Sequence, residues 1–255
     1  MDHRQRVQRE FAAQAEAFAA SLSLRQKESI NHILSASGVQ ADDVVLDACC
    51  GPGLLSVAVA PIVGRLVALD LTERMLDLAR QRCRDAHACN VEFACGDIDS
   101  IPYPDGHFDA SFCRLALHHL EDPIRAVAEL RRVTRRRGMV VLADIVTSEN
   151  KVEAGLHNAL ETLRDPSHVR AMPISELHGI VRQLDLQVVS DRVWRTRRDF
   201  KDWIAITNSP GRADLVLGVM RAYCETGRTA GIELSFHGSE STFVHTWCML
   251  AVRSS

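Results

Sequence analysis

Val44-Val45-Leu46-Asp47-Ala48-Cys49-Cys50-Gly51-Pro52-Gly53 is the stretch on which the reading of this chain turns. Its β-branched apolar run predicts a strand ending on a carboxylate, and the glycines then lead into an apolar segment of helical length, Leu54-Leu55-Ser56-Val57-Ala58-Val59-Ala60. Strand, glycine turn and helix in that order build a small-molecule pocket at the carboxyl end of a parallel strand. Glycine allows close backbone approach to a ligand where a Cβ would block it. A cofactor site is the first expectation.

Two nucleoside cofactors fit the pattern. Gly51-Pro52-Gly53-Leu54-Leu55-Ser56 is a relaxed dinucleotide fingerprint, with Ser56 in place of the third glycine or alanine and Asp70 a suitable distance on. Charge separates the candidates. A dinucleotide such as NAD lays a pyrophosphate over this turn, beside Asp47, and two like charges about 4 Å apart repel by roughly 4 kcal/mol at an effective dielectric near 20. S-adenosyl-L-methionine (SAM) has no phosphate, and its ammonium suits a carboxylate at position 47. SAM is the favoured cofactor, with an NAD-dependent oxidoreductase as one alternative.

The following segments repeat the theme. Arg65 to Leu71 reads as a second strand closed by Asp70, where a carboxylate can accept ribose hydroxyls. Thr72 is placed to cap a helix with Met75, Ala79, Cys83 and Ala86 on one face. Val91 to Ile98 reads as a third strand ending in Gly96-Asp97, and Phe108 to Arg114 as a fourth.

On these residues the chain resembles the class I SAM-dependent methyltransferases, in particular the small-molecule branch that includes the ubiquinone and menaquinone biosynthesis C-methyltransferases. The blocks that carry the resemblance are Asp47 to Gly53, Asp70 to Leu76, Gly96-Asp97-Ile98, Ile101 to Asp105 with Phe108-Asp109, and Leu117-His118-His119-Leu120-Glu121-Asp122-Pro123, over roughly residues 11–147. The resemblance implies that Asp47, Cys49, Gly51 and Gly53 border the methionine part of SAM and that Asp70 with Leu71 borders the ribose. It puts Met75 near the adenine, Gly96, Asp97 and Ile98 around its amine and ring, and Arg114 where the chain after strand four meets the cofactor. The family often has glycine where this chain has Cys49.

His118 and His119 follow strand four, where the quinone enzymes have an Arg-Asn pair, and this departure argues against a quinone acceptor. Imidazole titrates near neutrality, so either histidine can serve as a base. Both are the candidate catalytic residues. Phe11, Ala15, Phe18, Ala19 and Leu22 recur at helical spacing, and Phe18 is expected to help close the pocket on the acceptor side. Arg164 and His168 are candidate acceptor-binding residues in a helical lid.

Composition narrows the alternatives. With 255 residues and 46% apolar content the chain can bury a large core, and a net charge of −3 gives no bias toward nucleic acid. No apolar run spans a bilayer and no signal-peptide pattern is read, so the expected location is the cytoplasm. The eight cysteines are expected to be reduced thiols; Cys83, Cys89 and Cys95 are evenly spaced, yet buried thiols are the simpler reading and no metal is expected. The arginines between Arg131 and Arg137 are expected at the end of a helix that starts at Asp122-Pro123 and stops at Gly138, where they complement its dipole. Met139 to Val146 is expected as strand five, and Asn150 to Arg164, Ser175 to Val181, Asp199 to Ile206 and Ala213 to Tyr223 as helices. Leu186 to Arg195 and Thr242 to Val252 are expected as the remaining strands.

The expected architecture is an α/β, Rossmann-like, doubly wound seven-stranded sheet, mostly parallel with an antiparallel last strand. Residues 1–40 form a helical N-terminal cap, 41–147 a SAM-binding core, and 148–255 a helical lid with the last strands. The expected activity is methyl transfer to carbon or oxygen of a small organic acceptor, with a catalytically silent SAM-binding accessory protein as the other alternative. A homo-oligomer is compatible with the sequence.

Overall fold

The computed structural model describes residues 2–21, 27–207, 210–238 and 240–254. Leu22 lies outside them. Val44–Ala48 forms strand β1, and the carboxyl-side strands follow the acids: β2 (Arg65–Asp70), β3 (Val91–Cys95), β4 (Phe108–Arg114) and β5 (Thr134–Val146). The later strands are β6 (Leu186–Asp199), β7 (Ser235–His237) and β8 (Glu240–Ser254). Strands run in the order β3-β2-β1-β4-β5-β8-β6, with β7 paired to β8. The first five are parallel, while β8 is antiparallel to both β5 and β6. The expected antiparallel strand therefore lies one in from the edge, and β7 is an eighth strand too short to leave a period-2 signal.

The strands bury both faces, which requires near-continuous apolar sequence. On one face Leu46, Val67, Phe108 and Leu142 pack with helices α5 (Pro123–Val133) and α7 (Ile174–Gln183). On the other Val45, Leu66, Phe112 and Val141 pack with α2 (Lys27–Ser37) and α3 (Leu54–Val59). Side chains alternate along a strand, so Asp47 shares the α3 face with Val45. The strand order reverses beside β1, and the crevice above that point is where open α/β sheets bind ligands.

Helix α4 (Glu73–Asp85) buries Met75, Leu76, Ala79 and Cys83, whereas Ala86 lies exposed beyond its last turn. Helix α1 (His3–Ala20) packs on α4. A separate cluster joins α6 (Lys151–Arg164), α8 (Phe200–Ala205), α9 (Pro210–Glu225) and β8 through Leu160, Phe200, Trp203, Met220 and Phe243. Among the described residues no helix is long and apolar enough to cross a membrane.

The arginine run departs from expectation. Helix α5 starts as read, with Pro123 in its first turn and the Asp122 carboxylate accepting from Arg125 N, but it stops at Val133. Phe108 pairs with Thr134 and Ala110 with Met139, so residues 135–138 bulge out of the strand pairing. Arg131 and Arg132 alone occupy the last helical turn; Arg135 pairs with Asp109 at 2.8 Å. Gly138 is no helix stop. A Cβ there would come within 2.5 Å of the Asp109 carbonyl oxygen, so its lack of a side chain permits the close approach of β5 to β4.

Candidate active site

Asp47, Asp70 and Arg114 end β1, β2 and β4 and meet in one cleft, which encloses about 1110 Å³ of space including its open mouth. Its wall also includes Cys49, Gly51, Leu71, Met75, Gly96, Asp97, Ile98 and His119. Helix α1 closes one side with His3, Arg4, Val7, Phe11 and Phe18.

The glycine turn is held by the carboxylates. Asp70 accepts from Gly51 N and Thr72 N, both at 2.9 Å, so one side chain ties the turn to the start of α4. Thr72 occupies the cap position, yet its side chain makes no capping bond, and its own N–H is held by Asp70. Asp47 accepts from the Ser56 hydroxyl at 2.6 Å. Ser56, which departs from the dinucleotide pattern, thus serves the first carboxylate. Burial raises Asp47 to about 7, against the pull of Ser56 and Arg114, and raises Asp70 to about 6. Both carboxyls are primed to gain charge when a cation approaches.

Left-handed backbone explains the residue types. Gly51 has φ 52° with open space where a Cβ would stand, while Gly53 has φ 77° and would meet Ala79 at 3.0 Å. Gly53 therefore serves the packing of α3 against α4 and is not on the cleft wall. Cys49 also adopts φ 56°, a conformation that costs a non-glycine residue roughly 1–2 kcal/mol.

Asp97 lies on the wall with Arg4 Nε at 2.9 Å from its carboxylate, and its other oxygen accepts from Asp99 N. Ile98 is buried beside it. Strand β3 stops at Cys95, before the expected Ile98, so Gly96 to Ile98 form the turn that faces the cleft.

The two histidines diverge. They share a short 3-10 turn, Leu117–His119, with ring centres 4.2 Å apart. His119 lines the cleft, edge-on to Phe11 at 4.9 Å, and its Nδ1 lies 3.1 Å from Ser167 O and 3.2 Å from Ser167 Oγ. The Ser167 hydroxyl donates to Asp165 at 2.6 Å, which assigns the proton to His119 Nδ1 and leaves Nε2 as the basic nitrogen. Burial, reinforced by neighbouring His118, lowers His119 to about 4, so it is neutral at pH 7. His118 turns away from the cleft wall: its Nδ1 lies 2.6 Å from Asp144 Oδ1 on β5. Burial opposes its charge, but Asp144 outweighs burial and raises its pKa.

Phe18 stands on the cleft wall as expected, 6.0 Å from Phe11. His168 and Arg164 do not. His168 lies behind the histidine pair, 5.5 Å from the His118 ring, with Nε2 held by Asn158 Oδ1 at 2.8 Å. Arg164 points into the helical cluster, where it donates to Trp203 O, pairs with Glu161 at 3.1 Å and stacks over the Trp203 ring. Its i,i+3 spacing from Glu161 directs it along α6 and away from the ligand. Sequence reasoning missed Asp144, Asp165 and Ser167. Asp144 had a signal, a lone acid inside the apolar run Val140 to Val146, the same signature that exposed Asp47.

Residues 46–142 match the Methyltransf_11 family, described as a methyltransferase domain. Over that segment the chain is similar to a methyltransferase domain. It is 28% identical over 244 residues to the uncharacterized methyltransferase YcgJ of Bacillus subtilis, covering 95% of each chain. The YcgJ crystal structure superposes with a TM-score of 0.79, covering 90% of this chain and all of that one. The BH2331 protein of Bacillus halodurans C-125 shares the fold at a TM-score of 0.81 and 24% identity, over 89% of this chain and 98% of that one. Among relatives named for an acceptor, the malonyl-[acyl-carrier protein] O-methyltransferase of Serratia marcescens is 26% identical over 94% of this chain and 91% of its own length. The chain shares the Rossmann-like methyltransferase fold of these structures, and Asp47 and Asp70 fall within the matched segment.

Proposed function

We propose that the chain is a SAM-dependent methyltransferase acting on carbon or oxygen of a small organic acceptor. The observation that carries the reading is the pair of buried carboxyls, Asp47 and Asp70, flanking the left-handed Gly51 turn in one cleft. That arrangement suits a nucleoside with a cationic tail and opposes a pyrophosphate. Asp47 would hold the ammonium, directly or through water, and Asp70 the ribose hydroxyls. Bound there, SAM would supply an electrophilic methyl on a sulfonium for in-line transfer to the acceptor, with a thioether as the leaving group.

The protein's part is orientation and exclusion of water, worth roughly 7–11 kcal/mol for well-aligned reactants. Phe11 and Phe18 on α1 cover the cleft. His119 offers a neutral imidazole with Nε2 as acceptor for the proton that a phenolic, carboxylic or activated carbon acceptor loses. His118, whose pKa Asp144 raises, acts through its neighbour and is a positioning residue. The relative named malonyl-[acyl-carrier protein] O-methyltransferase supports the oxygen branch of this reading.

The test is a screen of phenols, carboxylic acids, quinols, amines and thiols with methyl-labelled SAM, repeated with His119→Ala. Labelled product with an oxygen or carbon acceptor is expected, with turnover falling about 10²–10³-fold in the variant and SAM affinity within threefold of wild type. Tight SAM binding with no product in any class would favour the accessory-protein reading, and unchanged turnover in His119→Ala would remove the base.

A further inference from the structure

Outside the cleft, three buried side chains of metal-ligand type converge. His157 and Glu161 stand one turn apart on α6, and His245 comes from β8; each is no more than 2% exposed. One donor atom from each lies within 4.8 Å of the others. Among the described residues no other group of this kind comes together, and Cys83, Cys89 and Cys95 do not form one.

The donor atoms face one another without satisfying one another. His245 Nε2 is 3.0 Å from Glu161 Oε1, and His157 Nε2 is 3.7 Å from the same oxygen. None of the three atoms has a partner in hydrogen-bonding geometry, although all are buried. Buried polar atoms are rarely left so. Glu161 Oε2, by contrast, is taken by Arg164 at 3.1 Å, which fixes the carboxylate and leaves Oε1 aimed at the two imidazoles. Donors around a tetrahedral zinc ion, with bonds of about 2.1 Å, stand about 3.4 Å apart, between the two separations observed here.

We propose that His157, Glu161 and His245 bind a divalent transition-metal ion, with zinc the best chemical match for two imidazoles and one carboxylate. Three protein ligands leave a fourth position for water. The ion would clamp α6 to β8. The next residue on α6, Asn158, accepts from both His168 Nε2 and Ala171 N, so the clamped helix is also the one that holds His168 against the histidine pair. The assignment does not depend on the methyl-transfer reading, because its readout is metal uptake.

Untagged protein, stripped with chelator and dialysed, is titrated with Zn²⁺ and Co²⁺ and analysed for bound metal. The expected result is one equivalent per chain, a rise in melting temperature of about 5 °C or more at saturation, and visible cobalt d–d bands without the near-ultraviolet thiolate charge-transfer band. That spectrum separates this site from the exposed thiols Cys89, Cys95 and Cys224. His245→Gln and Glu161→Gln, checked for folding by circular dichroism, are expected to bind at least 100-fold more weakly. Should the variants misfold, anomalous scattering at the zinc edge from wild-type crystals locates the ion. Less than a tenth of an equivalent bound by folded wild-type protein, a thiolate spectrum, unaltered affinity in folded His245→Gln, or anomalous density away from these side chains overturns the proposal.

Discussion

The cleft and the helical cluster around α6 both bury acids, but they hold them differently. In the cleft, Asp47 and Asp70 accept from a hydroxyl and backbone amides and keep pKa values raised toward neutrality. In the cluster, Glu161 is set against Arg164, which helps hold its pKa well below the usual carboxylate range despite complete burial. The first arrangement has no cationic side chain bonded to either acid; in the second Arg164 takes one oxygen of Glu161 and leaves the other facing two imidazoles.

The largest expected effect breaks the cluster. Glu161→Ala strands the Arg164 guanidinium, and denaturant unfolding is expected to show a loss of about 3–5 kcal/mol. A loss below 1 kcal/mol would mean that the ion pair is not what organises this region. In the cleft the same kind of change should cost the fold less and the ligand more, because Asp70 also holds Gly51 N and Thr72 N. Asp70→Ala is expected to weaken SAM binding by about 3 kcal/mol, roughly a hundredfold by calorimetry; unaltered affinity would remove Asp70 from the ribose site. The smallest effect concerns backbone. Cys49→Gly relieves a left-handed cysteine and is expected to shift stability by about +1 kcal/mol or less, since the glycine also gains freedom when unfolded. A clear destabilisation would show that the thiol's packing outweighs the strain.

The same division governs what could be read from sequence. Asp47 and Asp70 each stand at the end of an apolar strand, and parallel pairing brings successive strand ends to one edge, so local pattern alone brings them together with the glycine turn. Histidine 118 and histidine 119 were visible as a pair, but period and spacing do not say which ring turns to Asp144 and which to the cleft. The cluster was illegible because His245 meets His157 and Glu161 only after β8 inserts between β5 and β6, a step set by long-range pairing. Sequence proximity suggests Arg164 and His168 for the acceptor, but in the fold one faces Trp203 and the other Asn158. The helix expected to reach Gly138 failed for a local reason, since Thr134 Oγ1 bonds back to Leu130 O and the chain then enters β5.

The central claim is that the cleft awaits a cation, and pH tests its sign. Burial raises Asp47 to about 7 and Asp70 to about 6, above their ordinary values, so these two groups lower stability as pH rises from about 4 to about 7. A cationic ligand reverses that cost by favouring the ionised forms. Calorimetric titration with SAM in buffers of different ionisation enthalpy is expected to show proton release near pH 6.5, and affinity that rises from pH 5.5 to 7.5 and then levels. Affinity for SAM that falls with pH, or proton uptake with NAD bound more tightly than SAM, would contradict the account.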